Sequence, residues 1–508
     1  MGEVMQQVID ALKSKIDLAT AKPNGIPGLA CAVVDRNGDL LFEYAAGKRG
    51  VGSDVPMTTD TVFWLASCTK MIVSIAALQL AEQGILDLDD AGVVEKLAPE
   101  LKEVKVLQED AAGKLTLMEK KQRITMRMLL CHTAGFGYSF SNAKLQKWYG
   151  PIGQDELSGH ADDALSVPLV NQPGSKWEYG VNIDWAGELI MRASGLSLND
   201  YFHKHIFQPL GIKDISMFPS ADMKVRLAYV NQRSPDGKLS LREGGHLFKR
   251  ALKVESEEDI KATFNSGGAG CFAVPSEYCK ILAALLNNGQ CPKSGTQILK
   301  PQSVRTPELY PQPPEHAQGW SLGGFHHVCG TRTGRSPKTV WWAGLANLYW
   351  WVDHEKGLGG LVASQILPFG DAEVIAIRDD IETILYKALA QNISGKNGSF
   401  KGIAKGIKIV HKVKIPKLVV ENSIAVVDWI GKHVGLRGAE EAVHNGVFVE
   451  GLGNNLRATD PQAFGVFVGS RYHDIVLGGG NSFEVGGYYL DSHDRGWAIE
   501  GEGKRTED

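Results

Sequence analysis

Strand-like and helix-like patterns follow one another along the first 390 residues in an order that limits the available folds. From Val4 to Ile16, apolar residues recur at every fourth position, which is the spacing of one helix face. Residues 28–47 have the pattern of a β-hairpin around the turn pair Asn37-Gly38. Helical patterns dominate from about residue 60 to residue 300, which excludes a β-sandwich.

Strand-like patterns return after this helical region. They occupy residues 318–327, 346–352 and 358–364, and a last helix pattern begins at about Asp371. Strands from both ends of a domain can pair in one sheet while the segments between them pack on its faces. The order therefore predicts an α+β fold, with an antiparallel sheet flanked by helices and a helical insertion beside it.

The composition changes near residue 390. Residues 391–406 are rich in Gly, Ser, Asn and Lys, which is typical of a linker. Residues 407–508 contain short strand-like runs separated by glycines, namely Val447–Glu450, Phe464–Val468, Ile475–Leu477 and Tyr488–Leu490. The sequence thus predicts a first domain over residues 1–390, a linker, and a small C-terminal β-rich domain.

Composition and charge exclude several classes of protein. The 508 residues carry 54 Lys and Arg against 58 Asp and Glu, and this net charge of −4 gives no reason to expect a nucleic-acid partner. The 7 cysteines include no Cys-x-x-Cys pair, so neither a disulfide framework nor a metal site is predicted. No apolar run reaches the roughly 18 residues of a membrane span, and the N-terminal residues lack the layout of a signal peptide. We therefore expect a cytoplasmic protein.

A Ser-x-x-Lys motif occurs twice, as Ser67–Lys70 and as Ser141–Lys144. Ser67 begins a run that is apolar on nearly every side, which predicts a rigid buried helix, whereas Ser141 lies in a polar stretch. At a helix start, residues i and i+3 share a face, so the Lys70 amine can reach the Ser67 hydroxyl. A lysine amine that is partly removed from water can take a serine proton, and a helix N-terminus favours the resulting oxyanion. Taken alone, however, the motif favours a helix cap at Ser67 and a solvated Lys70.

Four further segments accompany this motif. They are residues 125–135 (TMRMLLCHTAG), 172–187 (QPGSKWEYGVNIDWAG), 265–270 (NSGGAG) and 342–345 (WAGL). Together with Ser67–Lys70, and in this order, they resemble the serine β-lactamase-related family, in particular its class C-like esterases and acyltransferases. The likeness is strongest to the fungal acyltransferases that attach the side chain in lovastatin-type biosynthesis. The resemblance covers about residues 1–390 and implies a β-lactamase/transpeptidase-like fold.

The resemblance implies a role for each matching residue. Ser67 corresponds to the nucleophile of the family, Lys70 to its lysine, and Tyr179 to the tyrosine that shares the general-base role. The backbone N–H groups of Ser67 and Leu345 correspond to the oxyanion hole, in which one donor typically contributes about 3 kcal/mol. Neither a metal nor an organic cofactor is implied.

Two departures from the lactamase pattern bear on the substrate. Tyr179 is followed by an asparagine only at Asn182, whereas many members have Tyr-x-Asn. The lactamase Lys-Thr-Gly is replaced by Trp342-Ala343-Gly344, as in the esterase branch. An indole cannot pair with a substrate carboxylate as a cationic side chain does. We therefore expect neutral ester or thioester substrates, with Trp342, Gly344 and Asn182 as the candidate substrate-binding residues.

Other reactive residues admit alternative interpretations. Ser321 lies in Gly319–Gly323, which matches the nucleophile elbow of α/β-hydrolases, although the surrounding segments favour a strand. His132 could serve as a base, but the resemblance makes it a structural turn residue. Cys68 is turned about 100° from Ser67 along a helix, which favours a packing role. An amide hydrolase of the β-lactamase or D-aminopeptidase type and a non-catalytic scaffold of the same fold stay as alternatives.

The sequence therefore predicts a serine hydrolase or acyltransferase that acts through an acyl-enzyme, of the kind found in fungal secondary metabolism. Its expected partners are a small-molecule acyl donor and an acceptor, and an acyl-carrier protein is a further candidate. The C-terminal domain could cover the cleft, bind such a carrier or mediate assembly, and the sequence does not distinguish among these roles.

Overall fold

The computed structural model describes residues 3–304, 318–321, 323–393, 464–468 and 475–479. The chain divides into two units, residues 1–407 and residues 408–508. No helix among the described residues is both long enough and apolar enough to cross a membrane.

One antiparallel sheet of seven strands forms the centre of the first unit. Its strands are β1 (Gly28–Asp35), β2 (Leu40–Gly47), β3 (Gln318–Ser321), β4 (Gly324–His327), β5 (Val340–Gly344), β6 (Leu348–Asp353) and β7 (Leu358–Ala363). The spatial order is β3-β4-β5-β6-β7-β1-β2, so the N-terminal hairpin pairs with the last strand of the C-terminal group. The predicted pairing of strands from both ends of the domain is confirmed.

Helices cover both faces of this sheet. The longer ones are α1 (Glu3–Ala21), α2 (Thr69–Glu82), α3 (Asn182–Ser194), α4 (Pro275–Leu286) and α5 (Ala372–Ile393). On one face, α1 packs against α5, and both contribute apolar side chains to one core. On the other face, α4 packs against β1 and β7, while α2 and α3 lie within a larger core. The predicted α+β arrangement of a sheet flanked by helices is therefore confirmed.

Strand β1 shows why the sheet is covered on both faces. Its alternate residues Ala30, Ala32 and Val34 belong to the larger core, whereas Leu29, Cys31 and Val33 belong to the core beneath α1 and α5. Side chains alternate between the two faces of a strand, so a strand that is buried on both faces has a continuous apolar sequence.

The helical insertion lies between β2 and β3. It also contains short helical turns and small strands. The short helices are Ala91–Leu97, Glu100–Glu103, Met126–Leu130, Ala143–Tyr149, Ala161–Leu165, Leu198–Phe202, Ala221–Val225, Lys249–Leu252, Glu257–Ala262 and Pro301–Val304, with 3-10 turns at Ala66–Cys68 and Gly150–Ile152 and a π turn at His203–Phe207. The small strands are Phe63–Trp64, Val106–Glu109, Leu115–Met118, Ile215–Ser216, Asn231–Arg233, Leu239–Leu241 and Phe272–Ala273, and Ile366–Leu367 pairs with Asn231–Arg233 from beyond β7.

Some boundaries differ from the sequence prediction. The strand predicted from residue 346 begins at Leu348, because Asn347 has a φ of 61° and lies in the turn between β5 and β6. Helix α5 continues to Ile393, inside the stretch that the sequence assigned to a linker. The rest of that stretch lies outside the described residues.

The structure describes two strands of the second unit. They are Phe464–Val468 and Ile475–Gly479, and they pair in antiparallel orientation. Both coincide with runs that the sequence marked as strand-like. The runs Val447–Glu450 and Tyr488–Leu490 lie outside the described residues.

Candidate active site

The Ser67 hydroxyl lies at the start of α2, directly after a strained residue. Ala66–Cys68 form one 3-10 turn, and α2 continues from Thr69. Ala66 and Cys68 are buried, whereas Ser67 is partly exposed. Ala66 has a φ of 45°, and a residue other than glycine in this left-handed region costs about 1–2 kcal/mol. Such strain persists where the surrounding structure holds a reactive group in place, so the turn presents Ser67 in a fixed geometry.

Lys70 is fully buried and lies within hydrogen-bond distance of three oxygen atoms. Its Nζ is 3.1 Å from Ser67 Oγ, 3.1 Å from the Tyr138 hydroxyl and 2.8 Å from the Gly268 carbonyl oxygen. An ammonium group has three N–H donors, which these three acceptors satisfy. A neutral amine can donate to two of them and accept the Ser67 proton with its lone pair. The geometry therefore suits Lys70 both before and after proton transfer.

Tyr179 lies against both Lys70 and Trp342. Lys70 Nζ is 4.7 Å from the centroid of the Tyr179 ring, which is within the range of a cation–π interaction. Trp342 Nε1 donates a hydrogen bond of 3.1 Å to the Tyr179 hydroxyl oxygen. The structure thus brings Ser67, Lys70 and Tyr179 into one site and places a hydrogen-bond donor at the phenol oxygen.

Two further residues of this site were missed by the sequence analysis. Tyr138 is buried, and its hydroxyl accepts the hydrogen bond from Lys70. Burial raises the pKa of Tyr138 well above its usual value, and the nearby Asp184 carboxyl raises it further. Asp184 lies in the first turn of α3 and is buried too. Both residues lie in or beside the segments that carry the family resemblance, but their spacing gives no sign that they approach Lys70.

The end of β5 lies directly against the turn that holds Ser67. A Cβ atom on Gly344 would collide with the Leu65 carbonyl oxygen and would lie 3.4 Å from Cys68 Sγ. Glycine at this position therefore allows the two backbones to approach closely. Leu345 follows at this junction and is partly exposed. The backbone N–H groups of Ser67 and Leu345 belong to these two adjoining segments.

Aromatic side chains form one wall of the site. This aromatic wall consists of Trp177, Tyr179, Phe325 and Trp342, which are partly exposed and pack around the fully buried Trp320, with neighbouring ring centroids 4.9–6.2 Å apart. Because side chains alternate along a strand, the sequence predicts that the aromatic residues of 341–342 and 349–351 give one face to the core and the other to the cleft. On β5 this alternation is confirmed, because Trp342 belongs to the aromatic wall whereas Trp341 stacks on His327 on the other face. On β6 the expectation is wrong, since Trp350 and Trp351 both lie in the cores and are at most 1% exposed.

His132 and Asn182 support the segment that carries Tyr179. The His132 ring lies 4.7 Å from the Tyr179 ring, and its Nδ1 accepts from the Asn182 side chain at 3.1 Å and from the Gly180 N–H at 3.4 Å. Burial lowers the pKa of His132 well below its usual value, and the charge of Lys70 lowers it further, so the ring is neutral. Asn182 is also fully buried, and its amide donates to the Phe136 carbonyl oxygen. This placement favours a structural role and does not favour contact between Asn182 and a substrate.

The alternative nucleophiles lack the surroundings of Ser67. Ser321 ends β3 and leads into β4 across a hairpin, so the interpretation as an α/β-hydrolase elbow between strand and helix is wrong. Ser141 and Lys144 donate to two different backbone carbonyl groups. Burial raises the pKa of the Cys68 thiol, which keeps it protonated. Among the described residues, no cluster of His, Cys, Asp and Glu side chains could hold a metal ion.

Known proteins are similar to this chain over about three quarters of its length. A family model described as beta-lactamase matches residues 15–382. The monacolin J acid methylbutanoyltransferase of Aspergillus terreus is 32% identical over 401 residues, which cover 73% of this chain and 94% of that protein. The lovastatin esterase of Penicillium rubens is 31% identical over 408 residues, which cover 75% of this chain and 97% of that protein. The solved structure of unliganded simvastatin synthase from Aspergillus terreus has a TM-score of 0.66 and 30% identity, and the match covers 76% of this chain and 99% of that one.

These relatives are named as a methylbutanoyltransferase, an esterase and a simvastatin synthase, and the family match includes the segments that hold Ser67, Lys70 and Tyr179. The β-lactamase/transpeptidase-like fold that the sequence predicts is confirmed by the solved structure. The chain therefore belongs to the β-lactamase family and is a serine enzyme of its esterase and acyltransferase branch.

Proposed function

We propose that the chain forms an acyl-enzyme on Ser67 and passes the acyl group to an alcohol, an amine or water. Ser67 Oγ bonds to the carbonyl carbon of an ester or thioester, the bond from that carbon to the leaving oxygen or sulfur breaks, and the Ser67 proton reaches the leaving group through Lys70. The acceptor then attacks the acyl-enzyme, and its proton returns to Ser67. The 3.1 Å contact between Lys70 Nζ and Ser67 Oγ, at a strained helix start, carries this proposal.

Tyr179 takes part in proton transfer from its position against Lys70. A phenol has an ordinary pKa of about 10, so it can pass a proton at neutral pH only if its neighbours stabilise the phenolate. The Trp342 N–H at 3.1 Å and the Lys70 ammonium beside the ring both stabilise negative charge on the phenol oxygen. We assign Tyr179 to the transfer of the proton between Lys70 and the leaving group.

The oxyanion is stabilised by the backbone N–H groups of Ser67 and Leu345. These donors gain most when the carbonyl oxygen becomes negative in the tetrahedral intermediate, at about 3 kcal/mol for one donor. The close approach of Gly344 to the Ser67 turn supports this assignment, because it keeps the two donors on adjoining rigid segments.

The substrate is a neutral acyl compound whose acyl chain packs on the aromatic wall. Strand β5 presents Trp342 where the lactamase pattern has a cation, which disfavours substrates that depend on a carboxylate. One relative is named for methylbutanoyl transfer and another as an esterase, so we propose a short acyl group here too. Trp342 and Gly344 contact this substrate, whereas Asn182 holds the Tyr179 segment. A bound acceptor that excludes water favours transfer over hydrolysis.

The domain organisation also stays a proposal. Residues 1–390 form the catalytic domain, residues 391–406 link it to the β-rich residues 407–508, and the enzyme is cytoplasmic. An acyl-carrier protein is a candidate source of the acyl group, and the C-terminal domain is a candidate site for it.

Intact-mass spectrometry of the full chain tests the proposed reaction. The protein is mixed with p-nitrophenyl butyrate, or with butyryl and 2-methylbutyryl thioesters of N-acetylcysteamine, with and without an alcohol acceptor. The wild type and Ser321→Ala should both gain the mass of the acyl group, Ser67→Ala should not, and the acceptor should speed the loss of the added mass. Acylation that survives Ser67→Ala contradicts the assignment. Turnover of a chromogenic cephalosporin without turnover of esters would favour the amide-hydrolase alternative.

A further inference from the structure

Asp184 is a buried carboxyl group beside the backbone turn that binds Lys70. One of its oxygens accepts hydrogen bonds from Ser266 Oγ at 2.6 Å and from the Gly268 N–H at 2.9 Å. The carbonyl oxygen of the same Gly268 accepts from Lys70 Nζ at 2.8 Å. Gly268 therefore connects the two side chains, because its N–H binds the carboxylate and its C=O binds the amine.

Two glycine residues, Gly267 and Gly268, allow the backbone turn to lie close to its neighbours. A Cβ atom on Gly268 would collide with Asp184 Oδ2 and would lie 2.9 Å from the Tyr138 hydroxyl. A Cβ atom on Gly267 would lie 2.6 Å from the Ile183 carbonyl oxygen at the start of α3. Asp184 Oδ2 and the Tyr138 hydroxyl thus lie on the same side of Gly268, and that hydroxyl is itself bound to Lys70.

The charge of Asp184 is the natural counter-charge of Lys70 in this interior. Burial raises the pKa of Asp184, whereas the Lys70 charge, the Ser266 hydroxyl and the Gly268 N–H all favour its ionised form. The other titratable groups against Lys70 are the Cys68 thiol, the His132 imidazole and the Tyr138 and Tyr179 phenols. Burial keeps Cys68 and Tyr138 protonated and His132 neutral, and Tyr179 is a partly exposed phenol, so Asp184 is the buried carboxyl group whose ionised form can balance the charge of Lys70.

We propose that Asp184 is a positioning residue that acts through Gly268 and Tyr138, holding Lys70 in place and stabilising the ammonium formed when Ser67 loses its proton. This inference rests on the proposed function. In the step concerned, one proton moves from Ser67 Oγ to Lys70 Nζ as the bond from Oγ to the carbonyl carbon forms. The Asp184 carboxylate offsets the new positive charge without touching the substrate, as the aspartate of a Ser-His-Asp triad does for its imidazolium.

The variant Asp184→Asn removes the charge and keeps the shape. The asparagine oxygen can still accept from Ser266 and Gly268, so the turn is retained. A negative charge favours the protonated form of a nearby base, so its removal should move the acidic limb of the kcat/KM profile for p-nitrophenyl butyrate to lower pH, by about 1 unit. The plateau should fall several-fold, because the base becomes weaker.

Glu156→Gln is the matched control. Glu156 is also a buried carboxyl group, but it accepts from the Ser139 N–H and hydroxyl instead of from the Gly268 turn. Its substitution should leave the acidic limb where it is in the wild type. An unmoved limb in folded Asp184→Asn, or an equal shift in Glu156→Gln, would overturn the inference.

Urea denaturation gives a second readout that does not depend on activity. Lys70→Met leaves the Asp184 carboxylate buried without its counter-charge, so it should lower the urea midpoint more in the wild-type background than in the Asp184→Asn background. Equal losses in the two backgrounds would overturn the inference. Failure of the proposed function can be distinguished from failure of this inference. If only the proposed function fails, wild-type Ser67 is never acylated, but Lys70→Met still lowers the urea midpoint more in the wild type than in Asp184→Asn.

Discussion

Replacement of Trp342 by phenylalanine separates the hydrogen bond to Tyr179 from the packing of the aromatic wall. The phenyl ring keeps an aromatic side chain between Tyr179 and Phe325, whereas the Nε1–H that donates over 3.1 Å to the Tyr179 oxygen is lost. The effect on catalysis therefore depends on the charge that this oxygen carries in the transition state.

The expected magnitude follows from that charge. A hydrogen bond between neutral groups contributes about 0.5–1.5 kcal/mol, and one to a charged group about 1.5–3 kcal/mol. We expect the Tyr179 oxygen to be neutral in the resting enzyme and negative in the transition state. Trp342→Phe then removes more hydrogen-bond stabilisation from the transition state than from the resting enzyme. A difference of about 1–2 kcal/mol corresponds to an acylation rate about 5–30-fold lower.

Burst kinetics with p-nitrophenyl butyrate measure the acylation rate directly, as the fast release of p-nitrophenolate. Trp341→Phe is the control, since Trp341 is the neighbour on β5 and stacks on His327 on the opposite face; its burst rate should match that of the wild type. An unchanged burst rate in Trp342→Phe would refute a negatively charged phenol oxygen. A higher KM with an unchanged rate would assign Trp342 to substrate binding alone.

Three further predictions follow from buried contacts. Gly344→Ala should abolish the burst, because its methyl group collides with the Leu65 carbonyl oxygen and displaces the backbone N–H groups that we assign to the oxyanion hole; a normal burst would contradict this assignment. Glu382→Leu should lower the free energy of unfolding by about 3–5 kcal/mol in urea denaturation, because Arg335, whose side chain is 4% exposed, loses its ion pair; adding Arg335→Met should recover much of the loss. Burial lowers the pKa of His246 to about 4, below its unfolded value, so the unfolded state binds more protons between these values. Stability should therefore fall as the pH drops from about 6.5 toward 4, by up to about 1.4 kcal/mol per unit, and His246→Gln should flatten that fall in thermal melts.

The sequence directly predicts only those contacts of the site that join residues close together along the chain. Ser67 and Lys70 lie three residues apart on one helical turn, so their contact follows from helix geometry. Tyr179 entered through the family resemblance, because its distance from Lys70 along the chain carries no geometric information.

Tyr138 and Gly268 approach Lys70 only through tertiary packing. They are 68 and 198 residues away from it along the chain, and no periodicity connects such positions. Asp184 lies in an otherwise apolar stretch of α3, where its sequence position does not reveal that the carboxyl group is buried against another segment. The same limit explains β6, whose tryptophans were expected to line the cleft, because burial on both faces depends on α5 and α4 packing from opposite sides.

The energetic costs around Ser67 favour it as the nucleophile independently of the motif. Removing an ammonium from water costs several kcal/mol, and a buried charge pair often stabilises a fold no better than apolar residues would. Lys70 is nevertheless fully buried, in a helix whose residues from Thr69 to Leu80 are buried throughout. Ala66 adds backbone strain on the other side of the same serine. The buried Lys70 and the strained Ala66 thus both lower stability next to the same hydroxyl. Such features are expected at functional sites, where the sequence is determined by reactivity and not by stability. Ser141 and Ser321 have no such neighbours among the described residues, which is why packing alone distinguishes Ser67 from them.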